Sequence, residues 1–132
     1  LDEIVKVCEP YGCMIFVDDC HGEGMLGKGR GIVAHFDLQG KVHVEGGSLS
    51  KGFGVFGGTI AGSEALIEFA KNKSRSYLLS TAHPPCVVAA ADAAITVVEE
   101  HPEIVEKLWD NTHYFKSHLD DLGYNTGNSK LR

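Results

Sequence analysis

A glycine-rich segment with a single lysine, residues 46–54 (GGSLSKGFG), carries the groups in this chain best suited to chemistry. Glycine lets the backbone approach a ligand closely, and serine hydroxyls and N–H groups can donate hydrogen bonds to an anion. The amine of Lys51 can act as a counter-ion for phosphate or as a nucleophile held beside it. A flexible surface loop with a solvated lysine is the simpler interpretation, and this segment alone does not decide among the three.

A second polar pair, Asp18 and His21, follows a continuous apolar run at residues 13–17. Such a run is typical of a strand that is buried on both faces of a parallel sheet. Because burial disfavours an ionised carboxylate, a carboxylate at the end of this strand must meet a cation or hydrogen-bond donors. The alternative is a capping carboxylate beside a solvated histidine.

Together, the two segments contain the groups that hold pyridoxal phosphate. The pyridine nitrogen of this cofactor is an electron sink only when it is protonated, which requires an anion such as Asp18. Its aldehyde needs an amine, as Lys51 offers, and its phosphate needs hydroxyl and N–H donors. Two G-x-G-x-x-G spacings, at 22–27 and 52–57, are not followed by helices, so we expect no nicotinamide site.

The elements that must position these groups follow from hydrophobic periodicity and turn residues. The sequence predicts strands at 13–17, 42–45 and 58–62, and helices at 1–9, from Ser63 as N-cap, at 86–100 and at 103–122. The helix at 86–100 is apolar nearly all round, which predicts that it is buried. This order indicates an α/β unit in which the loops at one end of the sheet face a common site.

Composition narrows the class of protein further. The formal net charge is −6, from 18 acidic residues against 12 Lys and Arg, which argues against a nucleic-acid partner. No apolar run approaches the roughly 20 residues that span a bilayer, and the N-terminus is not a secretory signal. The four cysteines form no C-x-x-C pair, so we expect reduced core thiols in a cytoplasmic protein and no metal site.

Three ordered motifs then carry a family resemblance. The segment VDDCHGEG at 17–24, with GRG at 29–31, resembles the corresponding segment of the α-oxoamine synthases. The segment SLSKGFG at 48–54 resembles the cofactor-lysine segment of that family, and YLLSTAHPP at 77–85 resembles a later loop. The family belongs to the fold-type I pyridoxal-phosphate enzymes, homodimers that condense an amino acid with an acyl-CoA.

The resemblance assigns roles position by position. It makes Lys51 the Schiff-base lysine, and also the base that removes the α-proton of the amino acid. It implies that Asp18 contacts the pyridinium nitrogen and that His21 contacts the ring hydroxyl oxygen. Asp18, His21 and Lys51 would then be the catalytic residues.

The remaining cofactor contacts also follow from the resemblance. Ser48 would bind the phosphate, while Ser80 and Thr81 would reach the phosphate of the cofactor in the partner subunit. His83 is given no role. Other polar residues are expected to be structural or at the surface: Asp19, His35, His43, His101, His113 and His118.

The resemblance also implies a fold and a boundary. Residues 1–101 would be the central and C-terminal part of the large PLP-binding domain, a mixed, mostly parallel sheet with flanking helices. Residues 102–132 would be a linking helix and the start of the small C-terminal domain. Family members are about three times this length. We therefore expect a central piece that lacks the ring-stacking aromatic residue upstream and the carboxylate-binding arginine downstream, and that is inactive by itself.

Within the family, residues 71–130 are most similar to the bacterial glycine C-acetyltransferases, which implies condensation of glycine with acetyl-CoA to a 2-amino-3-oxo acid. The alternative is 8-amino-7-oxononanoate synthase, which joins alanine to a pimeloyl thioester in biotin synthesis and shares every motif. Two interpretations from other classes stay open: an inactive fragment that binds nothing, and a phosphate-binding module without aldehyde chemistry.

Overall fold

The structure, a computed structural model, describes residues 1–127; the end of the predicted C-terminal unit, 128–132, lies outside these residues. Helices and strands alternate in the first half of the described chain, and helices follow in the second. In order they are α1 (Asp2–Cys8), β1 (Phe16–Asp18), α2 (Ile32–His35), β2 (Val44–Ser48), β3 (Gly58–Gly62), α3 (Glu64–Lys73), α4 (Arg75–Leu78), α5 (Pro85–Glu100) and α6 (Glu103–Asp121).

The three strands form one mixed sheet in the order β1-β2-β3. Strand β1 runs parallel to β2, with Asp18 opposite Gly46, and β2 runs antiparallel to β3, with Ser48 opposite Gly58. The expected α/β class and mixed sheet are therefore confirmed. Because β1 and β2 are parallel, the loops that leave their carboxyl ends start from the same edge of the sheet.

The predicted strand at 42–45 is displaced along the chain, because β2 includes two glycines that the sequence assigned to the loop. Each glycine lies where a neighbouring side chain covers the strand. A Cβ on Gly46 would lie 3.2 Å from the ring of Phe16, and one on Gly47 would lie 1.9 Å from the Glu23 carboxylate. Glycine inside a strand marks such close approaches.

The first strand also differs from its prediction. It spans Phe16–Asp18 instead of 13–17, and it is not buried on both faces, since Met14 and Phe16 are 73% and 63% exposed. The residue between them, Ile15, is buried. Its N–H donates a hydrogen bond to Nδ1 of His43, at 3.1 Å, which aligns the start of β1 with the segment entering β2.

The N-cap of α3 is confirmed, since the Ser63 hydroxyl accepts a hydrogen bond from the Leu66 N–H at 3.3 Å.

The predicted burial of the helix at 86–100 is wrong. None of the residues of α5 is buried, and Val88 is 54% exposed. The cysteines are also not core residues: all four are free, but two are half-buried and two exposed.

The last helix packs on the loop that follows β1. Val105 of α6 is 6% exposed, and the Trp109 indole N–H donates to the Met25 carbonyl at 3.0 Å. Gly29 of the same loop has no room for a Cβ, because Val98 of α5 would lie 2.5 Å from it. Buried apolar side chains therefore surround this loop and the adjacent strands: Val5, Ile15, Leu26, Val33, Val44 and Val105.

No helix within residues 1–127 is both long enough and apolar enough to cross a membrane.

Candidate active site

Three loops carry the predicted site residues. We call them the carboxylate loop (residues 18–31), the lysine loop (residues 49–57) and the hydroxyl loop (residues 79–84). The carboxylate loop leaves β1 and the lysine loop leaves β2, so the parallel pairing starts both from one edge of the sheet. The Asp19 N–H extends the pairing by donating to the Gly46 carbonyl at 2.8 Å.

Asp18 is held in its ionised form at this edge. The thiol and the backbone N–H of Cys20 hydrogen-bond to its carboxylate, the N–H at 3.1 Å, and they lower the pKa of Asp18. The positive charges of Lys51 and His21 lower this pKa further. The carboxylate raises the pKa of the Cys20 thiol in turn, chiefly through the same hydrogen bond. The structure thus brings three of the predicted residues together around an exposed anion.

The lysine loop is a closed turn whose base is fixed by backbone hydrogen bonds. The Leu49 N–H donates to the Gly57 carbonyl at 3.0 Å, and the Val55 N–H donates to the Leu49 carbonyl at 2.8 Å. The Gly54 N–H donates to the Lys51 carbonyl at 3.2 Å, with Gly54 at φ +65°, a conformation that favours glycine. Lys51 is therefore exposed at the tip of a turn whose backbone is fixed by hydrogen bonds.

Hydroxyl groups lie at the base of this turn. Ser48, the last residue of β2, is 8% exposed, and its Oγ lies 2.8 Å from the Oγ of Ser50. The Ser50 N–H also donates to the Ser48 Oγ, at 3.3 Å. The family resemblance predicts that Ser48 binds the phosphate, but it assigns no role to Ser50. The alternating S-x-S pattern around a β-strand end is the signal that could have paired them.

His21 is exposed and borders a shallow pocket with Asp18, Met25, Leu26 and Ile32. Its ring therefore shares a surface with the ionised carboxylate, as the two resemblance-based roles require.

The hydroxyl loop meets the site through a residue that had no predicted role. The His83 ring contacts the Phe56 ring edge-on, with centroids 5.7 Å apart, and its Nε2 would lie 3.4 Å from a Cβ on Gly57. Ser80 and Thr81 are exposed, and the Ser80 hydroxyl donates to the Tyr77 carbonyl of the preceding helix, α4, at 3.0 Å. The structure does not link these two hydroxyls to Asp18 or Lys51.

The other histidines without a predicted role have local partners. His101 Nδ1 lies 2.9 Å from a Glu103 carboxylate oxygen, and the ring of His35 contacts that of Phe36. The ring of His113 contacts Trp109, and the ring of His118 contacts Tyr114, each about one turn earlier on α6.

Two further carboxylates hold the carboxylate loop: Asp19, which the sequence placed among the structural or surface residues, and Glu23, which it did not single out. Asp19 is 6% exposed and accepts a hydrogen bond from the Ile32 N–H at 2.6 Å. Burial raises the pKa of Asp19, and the N–H groups of Ile32 and Gly22 oppose that rise. Glycines at 22 and 31 leave the space that this carboxylate fills. These two glycines are the sequence signal that could have indicated a buried side chain here.

Glu23 connects the carboxylate loop to the lysine loop and to β3. Its Oε1 accepts a hydrogen bond from the Thr59 hydroxyl at 3.2 Å, and its Oε2 is buried without a hydrogen-bond partner. The carbonyl of Glu23 would lie 2.3 Å from a Cβ on Gly52. Burial raises the pKa of Glu23, and the Thr59 hydroxyl opposes this rise. The glycines at 47 and 52 thus let the two loops touch.

The donor set at this edge fits pyridoxal phosphate. An anion that stays ionised suits a protonated pyridine nitrogen, an exposed lysine amine suits the aldehyde, and a hydroxyl pair with adjacent N–H groups suits a phosphate. Asp18, Lys51 and the Ser48–Ser50 pair supply these three kinds of group within two adjacent loops.

The family model described as aminotransferase class I and II matches residues 1–130. The chain therefore belongs to the aminotransferase class I and II family. Its similarity to known proteins places it among the α-oxoamine synthases of that family, enzymes that depend on pyridoxal phosphate, as the three motifs predicted.

Particular relatives make this assignment concrete. The chain is 52% identical over 131 residues to the 8-amino-7-oxononanoate synthase of Symbiobacterium thermophilum, covering 98% of this chain and 33% of that protein. It superimposes on a structure described as SPT with PLP internal aldimine, with a TM-score of 0.86 and 31% identity over 93% of this chain and 31% of the other. A crystal structure of 8-amino-7-oxononanoate synthase from Francisella tularensis matches with a TM-score of 0.72 and 28% identity, over 80% of this chain and 32% of that one.

The chain thus spans about a third of the length of the curated relatives that it matches. These relatives carry the name of the alternative that the sequence left open, 8-amino-7-oxononanoate synthase. They support that alternative better than the glycine C-acetyltransferase interpretation.

Proposed function

We propose that this chain forms the cofactor-lysine part of a pyridoxal-phosphate-dependent 8-amino-7-oxononanoate synthase, which condenses alanine with a pimeloyl thioester. The observation that carries the proposal is the parallel pairing of Asp18 with Gly46, which leaves an ionised carboxylate within electrostatic reach of Lys51. The identity of about 50% to proteins of this name supports the choice of substrates.

Each residue has a defined task in this proposal. Asp18 holds the pyridine nitrogen in its protonated form, and His21 holds the ring hydroxyl oxygen. Ser48 binds the phosphate, with Ser50 holding the Ser48 hydroxyl in place. The bound cofactor supplies an electron sink for the carbanion formed at the α-carbon of the amino acid.

Lys51 has two tasks. Its amine would hold the aldehyde carbon of the bound cofactor, and the same amine, when free, would take the α-proton of the amino acid. The exposed tip of the lysine loop leaves the amine free to reach both positions, while the closed base of the turn fixes where it starts.

The parts of the proposal that concern the whole protein rest on the family. We propose a cytoplasmic homodimer in which Ser80 and Thr81 bind the phosphate of the partner subunit's cofactor. We also propose that residues 1–101 belong to the large domain and that α6 leads into the small one. The break between α5 and α6 at His101 and Pro102 supports this boundary.

The choice of substrates is tested in the intact protein by measuring kcat/KM for alanine with pimeloyl-CoA and for glycine with acetyl-CoA. We expect the alanine pair to be favoured by at least about tenfold, since a misfitting acyl chain loses binding energy in the transition state. A preference for glycine and acetyl-CoA would restore the glycine C-acetyltransferase interpretation. Turnover of neither pair, with phosphate bound, would favour the phosphate-binding module.

A further inference from the structure

Asp19 is the most buried carboxylate of the described residues, and it follows directly after the proposed pyridine-nitrogen ligand. Its carboxylate lies against its own loop and also lines the shallow pocket that Asp18 and His21 border. A Cβ on Gly22 would lie 2.0 Å from Oδ1, and one on Gly31 would lie 2.3 Å from Oδ2, so the two glycines make room for this carboxylate. The hydrogen bonds of Asp19 go to backbone groups, so it acts on the site through the backbone that it holds.

That backbone is held from three sides. The Asp19 N–H donates to the Gly46 carbonyl of β2 at 2.8 Å, and its own carbonyl accepts from the Gly22 N–H at 3.0 Å. Its carboxylate accepts from the Ile32 N–H at 2.6 Å, which ties the loop to the start of α2. The two proposed cofactor ligands of this loop, Asp18 and His21, lie one residue before and two residues after this point of attachment.

Burial of an ionised carboxylate costs free energy unless donors surround it. A loop anchored only for stability could use an apolar side chain here at lower cost. A carboxylate that accepts the N–H at the start of α2, while its own backbone N–H is paired with β2, instead fixes the direction of the backbone between the two elements. This difference separates a positioning role from simple packing.

We propose that Asp19 is a positioning residue of the cofactor site: its buried carboxylate fixes the turn between β1 and α2, so that Asp18 and His21 face the cofactor together. The inference rests on the proposed function, because it assigns Asp19 an effect on cofactor binding. Ligands displaced by about 1 Å can lose a hundredfold in efficiency, and loss of a supporting hydrogen bond typically costs ten- to a hundredfold in binding.

The test compares Asp19→Ala and Asp19→Asn with Val105→Ala in the intact protein. Val105 is equally buried but lies on α6 and approaches the carboxylate loop near Gly29, ten residues after Asp19, so its truncation lowers stability without removing a contact of Asp19. Pyridoxal phosphate binding to the apo-protein is measured by fluorescence titration, and amide hydrogen exchange of residues 18–24 is followed without cofactor. The pH dependence of the visible absorbance of the bound cofactor gives a third readout, which reports on protonation of the cofactor's conjugated system.

We expect Asp19→Ala to weaken cofactor binding about 10- to 100-fold and to speed exchange at residues 18–24. Asp19→Asn keeps one acceptor oxygen, so it should show a smaller loss and a shifted absorbance profile. Val105→Ala should lower Tm but leave the three site readouts as in the wild type.

The outcomes separate the two proposals. If the wild-type protein binds no pyridoxal phosphate, the proposed function fails. If it binds, and both Asp19 variants match Val105→Ala in affinity, exchange and absorbance, Asp19 is only a packing residue and the inference is overturned. If Asp19→Ala does not fold, Asp19→Asn decides alone: unchanged affinity and absorbance contradict the inference.

Discussion

The carboxylate loop and the hydroxyl loop both carry predicted cofactor ligands, but contacts with the rest of the described chain hold the first loop much more firmly than the second. The carboxylate loop is held by the buried Asp19, by Glu23 against β3, and by glycines that let it touch the lysine loop. The hydroxyl loop is exposed, and the Ser80 hydroxyl bonds only within its own turn among the contacts that the structure shows. Contacts within this chain therefore fix the positions of Asp18 and His21. Contacts within the described residues do not direct Ser80 and Thr81 toward a ligand.

The largest expected effect comes from breaking the contact between the carboxylate and lysine loops. In Gly52→Ala the new Cβ would lie 2.3 Å from the Glu23 carbonyl and 3.2 Å from the Gly24 Cα, both backbone atoms that cannot move alone. We expect a loss of about 3 kcal/mol in the free energy of unfolding, measured by urea titration, together with weakened cofactor binding.

Gly54→Ala is the matched control in the same loop. A Cβ there meets nothing within 4 Å, so the only cost is the left-handed backbone at φ +65°, about 1–2 kcal/mol. If Gly52→Ala were no more harmful than Gly54→Ala, the tight packing of the two loops would be unimportant.

These loops also show how far the sequence could predict the structure. The third strand and the cap of α3 were predicted correctly because glycines bound the strand and Ser63 starts the helix, which are local signals. The second strand was misplaced because its glycines were assigned to a ligand loop, whereas they accommodate Phe16 and Glu23. The short helix α2 was missed because its start depends on Asp19, thirteen residues earlier in the chain.

The site residues divide in the same way. Asp18, His21 and Lys51 were predicted because the chemistry of a cofactor demands those residue types, and the structure places the three near one another. The contacts of Asp19 and Glu23 were not predicted, because their partners are backbone atoms and side chains distant in sequence. The prediction that α5 is buried was wrong, because an apolar composition indicates that a helix can be covered but does not identify the element that covers it.

An intermediate effect is expected at the hydroxyl loop. Ser80→Ala should change the free energy of unfolding by less than about 1 kcal/mol, because its hydroxyl makes a single local bond. Its affinity for pyridoxal phosphate should nevertheless fall about tenfold, the usual effect of losing a hydrogen bond to a charged group.

A subunit-mixing experiment tests whether Ser80 binds the phosphate of the cofactor in the partner subunit. Subunits carrying Ser80→Ala are mixed with subunits carrying Lys51→Ala, and cofactor binding is titrated. Shared sites predict that each hybrid regains one tight site, since one lysine and one intact hydroxyl loop meet there. Hybrids that bind no better than the parents would place Ser80 outside the partner's site.

The smallest effect concerns the acidic side chains behind the two loops. Burial, followed by the charges of Asp19 and Glu23, raises the pKa of Glu45. A carboxyl whose pKa is higher in the folded state stabilises the fold when protonated, so this contribution is full at low pH and is lost as pH rises from the ordinary carboxyl range through the raised value.

Glu45→Gln should therefore make stability fall less steeply between acidic and neutral pH, and should stabilise the protein at pH 7 by less than about 1 kcal/mol. Thermal unfolding across this pH range checks the slope. Glu106→Gln, an exposed glutamate on α6, is the control and should leave the slope as it is. A slope that Glu45→Gln makes steeper would contradict the assigned direction.

Lys51 is the residue that we expect to bind pyridoxal phosphate covalently. The intact protein is incubated with the cofactor, reduced with borohydride, digested, and analysed by mass spectrometry, with Lys51→Ala treated in parallel. We expect a reduced pyridoxyl-phosphate adduct on Lys51 and none in the variant. Adduct on another lysine, or equal labelling of Lys51→Ala, would contradict it.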